Sequence, residues 1–394
     1  MKNIVLFGAS GDLSNKKVLP ALKNLKKTQD FSLYGIGRSE SYTSDILDVN
    51  YISINFNNVE DFEKLKWVLN LDNPIYYLAV SSEFFYVIAE NLAKRKLNFP
   101  NSYICFEKPF GKNKAEADEL YGKISKLFKN ICIIDHYLAK PPLIDIENII
   151  KDNYIIKSII ESKKLNEIQF TNFENVLIGK RGEYYDKTGE IKDFFQSHTM
   201  QVISTSLKSL YNFNKLDALK NIDYTKKGIF GQYEGYLEEK GVSESSITET
   251  YFEGEFSVNI PAEKRHIKMF IRQGKAMKRK ETILSFILED NNSLVFSIAP
   301  EESISINCFL PNGKEIHLKN VIAEEYRDSY EVIFENLLNS VDGFTYNVDI
   351  KEIEQSWNIS EEILKYKEHN EIFIYEKGID SIDKGLWLTD WKLI

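Results

Sequence analysis

The stretch 4-IVLFGASGDLSNKKVLPALKNLKK-27 decides how the chain begins to fold. Residues 4–7 form an unbroken apolar run, the mark of a short strand buried on both faces. Residues 13–27 carry Val18, Leu22 and Leu25 at helical spacing, so a helix follows. Between them lie Gly8, Ala9, Ser10, Gly11, Asp12 and Leu13. Glycines in a strand-to-helix turn let backbone approach a pyrophosphate, which then sits at the positive end of the helix. The G-x-x-G spacing is sparser than the full dinucleotide fingerprint, but its place in the first strand–helix unit favours the same reading.

Outward from this unit the pattern repeats. Apolar runs at 31–36, 52–54, 74–80, 103–106 and 131–134 alternate with helical stretches at 84–97 and 115–128. Such alternation predicts a doubly wound, Rossmann-like parallel sheet over residues 1–140. Beyond it the texture changes. A long helix is expected over 141–164, and 167-EIQFTNFENVLI-178 alternates like a half-exposed strand. A helix is expected over 193–211, then strands at 251–258, 266–272, 282–287, 294–298 and 303–309. Residues 141–394 thus read as an α+β domain on a mainly antiparallel sheet. With 394 residues, two domains fit the length. The net charge of −9 and the lack of a dominant basic tract argue against nucleic acid as partner. No 18-residue apolar window suggests a membrane span, and the three cysteines form neither a disulfide framework nor a metal spacing. A cytoplasmic protein is the expectation.

Four more segments carry chemistry. Arg38 and Ser39 follow the second strand, where an Arg accommodates the 2′-phosphate of NADP and an acid would suit NAD. The turn 106-FEKPFG-111 presents Lys108 on a rigid Lys-Pro step, at which a cis proline is conceivable. At the end of the last parallel strand, Asp135, His136, Tyr137 and Lys140 offer an acceptor, a ring, a hydroxyl and a cation, a set able to hold a phosphate and orient a base. In 184-YYDKTGEIKDFFQSHTMQ-201, Asp193 lies five residues before His198, too far round an α-helix for a direct pair.

Taken in order, these segments resemble glucose-6-phosphate dehydrogenases. GASGDLSNKKVLPAL (8–22) resembles that family's dinucleotide loop, FEKPFG its turn, IDHYLAK (134–140) its substrate signature, and RGEYYDKTGEIKDFFQSHTMQ (181–201) the helix of its catalytic histidine. Residues 231–252, 271-IRQGKAMKRK-280, 353–364 and 374–381 extend the likeness over nearly the whole chain. The resemblance implies roles. His198 is the general base for the C1 hydroxyl, and Asp135 orients it. His136, Tyr137 and Lys140 bind the 6-phosphate with Lys275 and Lys280, while Glu174 and Asp193 accept from sugar hydroxyls. Lys17 and Lys108 lie between sugar and cofactor; Gly8, Ala9, Ser10, Gly11, Asp12, Leu13, Arg38 and Ser39 hold NADP, with NAD as the alternative. The implied reaction turns D-glucose 6-phosphate into 6-phosphogluconolactone, the first step of the oxidative pentose phosphate pathway, without a metal. A homodimer or homotetramer is the implied assembly. Ile133, Ala139, Ser81-Ser82 and Ser197 depart from the family pattern, and the chain is short for it. A dehydrogenase of another sugar or sugar phosphate, and a catalytically silent binding subunit, are the competing readings. Convergence of Lys140, Lys275 and Lys280 on one phosphate-sized pocket would favour the phosphorylated substrate, and their scatter would remove that rationale.

Overall fold

In a computed structural model the chain is described over residues 2–67, 74–144, 146, 164–211, 213–309, 314–321, 328–339, 344–380 and 391. It divides into two compact units, Met1–Ala139 with Arg327–Glu354, and Lys140–Tyr326 with Gln355–Ile394.

The first unit is built on β1 (Lys2–Phe7), β2 (Phe31–Gly37), β3 (Asn50–Ser53), β4 (Ile75–Leu78), β5 (Tyr103–Glu107) and β6 (Asn130–Ile134). All pair in parallel, in the order β3-β2-β1-β4-β5-β6. This is the doubly wound sheet expected from the unbroken apolar runs, whose residues Ile4 to Phe7 are fully buried. The strand order reverses between β1 and β4, the point where such sheets bind ligands at their carboxyl ends. Between β1 and β2 the helix starts as a π-helical turn, Ser14–Val18, and continues as α1 (Leu19–Leu25) with a proline in its first turn. Val18, Leu22 and Leu25 are buried on its inner side, as the spacing predicts. Helices α2 (Phe85–Lys94) and α3 (Lys114–Ile124) follow β4 and β5. Asn113 caps α3 by accepting from the Glu116 amide at 2.8 Å.

Residues 328–354 return to this unit. The helix Ser329–Asn339 buries Tyr330, Ile333, Phe334 and Leu337 in one core with β1 and α1. Glu331 accepts from Asn24 at 2.6 Å, and Asn347 accepts from the Ile133 amide at 2.8 Å.

The second unit holds β7 (Leu165–Phe173), β8 (Ile222–Tyr233), β9 (Tyr251–Ile260), β10 (Arg265–Gly274), β11 (Glu281–Leu288), β12 (Ser293–Ala299), β13 (Ser303–Phe309), β14 (Glu315–Val321) and β15 (Ile372–Tyr375). Their order is β14-β13-β12-β11-β7-β10-β9-β8-β15. Pairing is antiparallel except β7 with β10 and β8 with β15. The expected half-exposed strand is corrected here: β7 is interior, flanked by β10 and β11, and Ile168 to Phe173 are all buried. Its polar positions bond sideways rather than to water. Thr171 Oγ1 accepts from Arg272 Nε at 3.0 Å and Asn172 Oδ1 from Thr282 at 2.8 Å. Strands β8, β14 and β15 had no counterpart in the sequence reading. The helix expected over 141–164 lies outside the described residues from 147 to 163. Among the described residues no helix is long and apolar enough to cross a membrane.

Candidate active site

In the first unit the turn after β1 is shaped by Gly8, whose φ of 82° suits glycine. A Cβ there would collide with the Ala79 carbonyl oxygen after β4. The amide of Gly8 donates to the Ile36 carbonyl at 2.8 Å, and Ser14 Oγ donates to the Gly8 carbonyl at 2.8 Å. Backbone is thereby pinned at the switch point between β1 and β4, with Ala9 buried, Ser10 and Asp12 exposed, and Gly11 and Leu13 half-buried. These features fit a dinucleotide pyrophosphate. Asp12, the one acid in the loop, pairs with Lys16 at 2.8 Å. Arg38 is exposed just past β2, with its guanidinium 5.2 Å from the centre of the Phe84 ring; Ser39, beside it, accepts from the Tyr51 hydroxyl at 2.9 Å through its carbonyl.

The Lys108–Pro109 peptide is cis, and Lys108 is half-buried there. Lys17 pairs with Asp328 at 3.1 Å. One residue before the turn, Glu107 closes β5 with its carboxyl only 6% exposed. Burial pushes that carboxyl up to about 7, while the Tyr77 hydroxyl, which donates to it, pulls the other way. Asp135, at the end of β6, is 2% exposed and accepts from the Tyr137 amide at 2.9 Å. The His136 ring stacks on Tyr330, with centroids 5.7 Å apart.

In the second unit His198 lies in the segment Ile191–Thr199, which is wound as a π-helix before Met200–Tyr211 continues as α-helix. Asp193 and His198 lie five residues apart on this one segment, whose i→i+5 bonding is a form frequent at functional sites. Gln273 on β10 holds both ends of the segment. It donates to the Glu190 carbonyl at 3.1 Å and accepts from Thr199 at 3.0 Å. His198 is 2% exposed, its ring edge-on to Phe194 at 5.0 Å.

Lys275, just past β10, is the hub of a buried ionic cluster. Its ammonium is in contact with Glu174, 3.7 Å from Glu190 and 3.9 Å from Asp193. Burial works against its charge, but Glu190, Glu174 and Asp193 outweigh burial and raise its pKa. Asp193 also faces Arg181 at 3.6 Å, and Tyr185 donates to Glu190 at 2.8 Å. Glu174 and Asp193, the two carboxylates of this cluster that are not fully enclosed, offer acceptors of the kind that hold sugar hydroxyls.

The structure therefore brings Lys275, Glu174 and Asp193 together. It does not give Lys140, Lys275 and Lys280 a common partner among the described residues: Lys140 faces Glu302 at 3.6 Å, and Lys280 is exposed. The sequence reading missed Glu190 and Glu107. Each is an acid beside apolar neighbours, in GEI and CFEK, and that placement is the only local signal.

Comparison with known proteins divides the chain between residues 143 and 149. Residues 149–384 match the model "Glucose-6-phosphate dehydrogenase, C-terminal domain", and 5–49 and 46–143 match "Glucose-6-phosphate dehydrogenase, NAD binding domain". A glucose-6-phosphate 1-dehydrogenase of Helicobacter pylori (strain J99) is 26% identical over 393 residues, covering 90% of this chain and 91% of its own. Another, from Buchnera aphidicola, is 28% identical over 464 residues, covering 95% and 94%. A glucose-6-phosphate 1-dehydrogenase crystal structure from Mycobacterium avium superposes with a TM-score of 0.85 at 22% identity, covering 100% of this chain and 99% of its own. A glucose-6-phosphate dehydrogenase in complex with glucose 6-phosphate gives 0.85 and 22%, covering 98% and 96%. At that identity the two structures speak for the fold.

Proposed function

The chain belongs to the glucose-6-phosphate dehydrogenase family, and on that footing we propose that it oxidises D-glucose 6-phosphate at C1 to 6-phosphoglucono-lactone with NADP. The observation that carries the reading is the Lys275–Glu174–Asp193 cluster, with Asp193 on the same π-helical segment as His198. Glu174 and Asp193 accept from sugar hydroxyls while Lys275 holds both carboxylates in place. His136, Tyr137 and Lys140 take the phosphate, with help from Lys275 and Lys280. His198 removes the C1 hydroxyl proton, and Asp135 is assigned to fix its tautomer and stabilise the imidazolium. Burial of both residues favours this division, because each needs a fixed orientation to serve.

A nicotinamide dinucleotide, when bound, supplies the hydride acceptor. Gly8 to Leu13 hold its pyrophosphate and Ser39 its ribose, with Lys17 and Lys108 nearer the reacting end. Exposed Arg38, steadied on Phe84, supports NADP over NAD because its guanidinium is free to meet a 2′-phosphate. In this reading the first unit, residues 1–139 with 327–354, binds cofactor and lends His136 and Tyr137 to the sugar phosphate, while the second binds the sugar and pairs into a homodimer or homotetramer in the cytoplasm, serving the pentose phosphate pathway.

Absorbance of reduced nicotinamide tests the proposal, with glucose 6-phosphate and NADP⁺ or NAD⁺ in parallel. Turnover with NADP⁺ is expected, reduced roughly 10²–10⁴-fold in a folded His198→Asn variant. Turnover with NAD⁺ alone would remove the role of Arg38. A folded parent silent with both would overturn the activity.

A further inference from the structure

The buried cluster around Lys275 contains one carboxylate that no step above uses. Glu190 is 0% exposed, and its Oε1 has no hydrogen-bond partner among the described residues, while Oε2 accepts from Tyr185 at 2.8 Å. It lies behind Lys275, 3.7 Å from the ammonium. The groups facing it from neighbouring elements are Tyr185, Tyr375, Lys275, Glu174, Asp193 and Glu249. Glu249 is matched by Lys367 and Asp193 by Arg181. Counting these, four carboxylates meet three cations, so the cluster carries one negative charge more than its cations balance. Glu174 and Asp193 are the pair that face Lys275 together with Glu190, and a buried site with surplus negative charge is relieved by taking up a proton.

We propose that Glu190 is a positioning residue for substrate binding, holding Lys275 from the buried side when charged and releasing part of its charge toward an anionic sugar phosphate when protonated. The inference rests on the reading of Lys275 as part of the substrate site. Burial pushes the Glu190 carboxyl up to about 7, partly offset by Lys275 and reinforced by Glu174 and Asp193, so the change falls in the range where the enzyme would work. Below that pH Lys275 faces two charged carboxylates; above it, three. Affinity for an anionic substrate accordingly weakens as pH rises, while the base that sets turnover is a different residue. Glu190 therefore acts on KM, and His198 on kcat.

The test measures KM for glucose 6-phosphate and for the dinucleotide between pH 6.5 and 8.5, in the parent, Glu190→Gln and Glu190→Asp. The parent's KM for the sugar phosphate is expected to rise across these two pH units, by at most roughly 25-fold, the limit for one linked proton titrating near pH 7. Glu190→Gln, which keeps the acceptor for Tyr185 but not the charge, is expected to stay low and vary less than twofold. Glu190→Asp is expected to restore the rise, and the dinucleotide KM to stay flat in all three. Should the Gln variant not fold, carbon-13 NMR of glutamate carboxyls in the parent and the Asp variant replaces it. A resonance titrating near pH 7 in the parent and absent from the Asp variant supports the proposal, and no such resonance overturns it. A parent that turns over glucose 6-phosphate while Glu190→Gln keeps the full rise overturns the role of Glu190 alone. A folded parent with no turnover overturns the assigned activity and this inference with it.

Discussion

At the end of β5 a single carboxyl carries a cost that pH can read. Glu107 is buried and its pKa is raised to about 7, burial being the main cause. In the unfolded chain it titrates near 4.5. The folded state therefore keeps a proton that the unfolded state has lost between those values, so its contribution is complete below about 4.5 and disappears as pH rises through 7. Glu107→Gln removes that dependence. Thermal melts at pH 5 and pH 8 should differ less in the variant than in the parent, by up to about 3 kcal/mol. An unchanged difference would mean that Glu107 is charged in the folded protein at pH 5. At this scale the sequence was readable wherever one residue type has one job: Gly8 in the turn after the first strand, Lys108 on a Lys-Pro step. It was silent on Glu107 and Glu190 because their partners arrive from afar, Tyr330 in one case and Lys275 in the other.

Among elements, the turn between β1 and the π-helical segment is the most exacting. Gly8→Ala meets two penalties together, a side chain at φ 82° and a collision with the Ala79 carbonyl. The expected loss is about 1–3 kcal/mol of stability, with dinucleotide binding lost more steeply than sugar binding. Calorimetric titration with each ligand measures the split, and equal losses would place the pyrophosphate elsewhere. The parallel strands were legible because burial on both faces leaves an unbroken apolar signature. Strand β8, in contrast, hides its alternation. It slips register between Tyr224 and Lys227, where Lys226 adopts φ 59°. Strand β14 is an edge strand with Ile316 and Leu318 exposed, and β15 has four residues, too few for a period to show. The π winding of residues 191–199 has no compositional mark, so the sequence reading took this segment as ordinary helix.

On the scale of the whole molecule, the first unit is discontinuous in sequence. Five buried side chains of its core, Tyr330, Ile333, Phe334, Leu337 and Leu338, come from the returning helix. At about 1.5–3 kcal/mol each, their removal is comparable to the 5–15 kcal/mol that holds an ordinary domain folded. A fragment ending at residue 143 is expected to be molten or aggregated by circular dichroism and size-exclusion chromatography. Joining residues 328–354 to it through a flexible linker is expected to restore cooperative melting; a fragment that melts cooperatively without them would show the returning helix to be dispensable. The same feature orders events during synthesis. The 187 residues Lys140–Tyr326 separate Ala139 from Arg327, roughly 10–40 s of translation at the usual rates. Throughout that interval the nascent chain carries an unfinished core outside the ribosome, so the unit that emerges first must wait for residues 327–354 before it can close, and chaperones have that window in which to hold it.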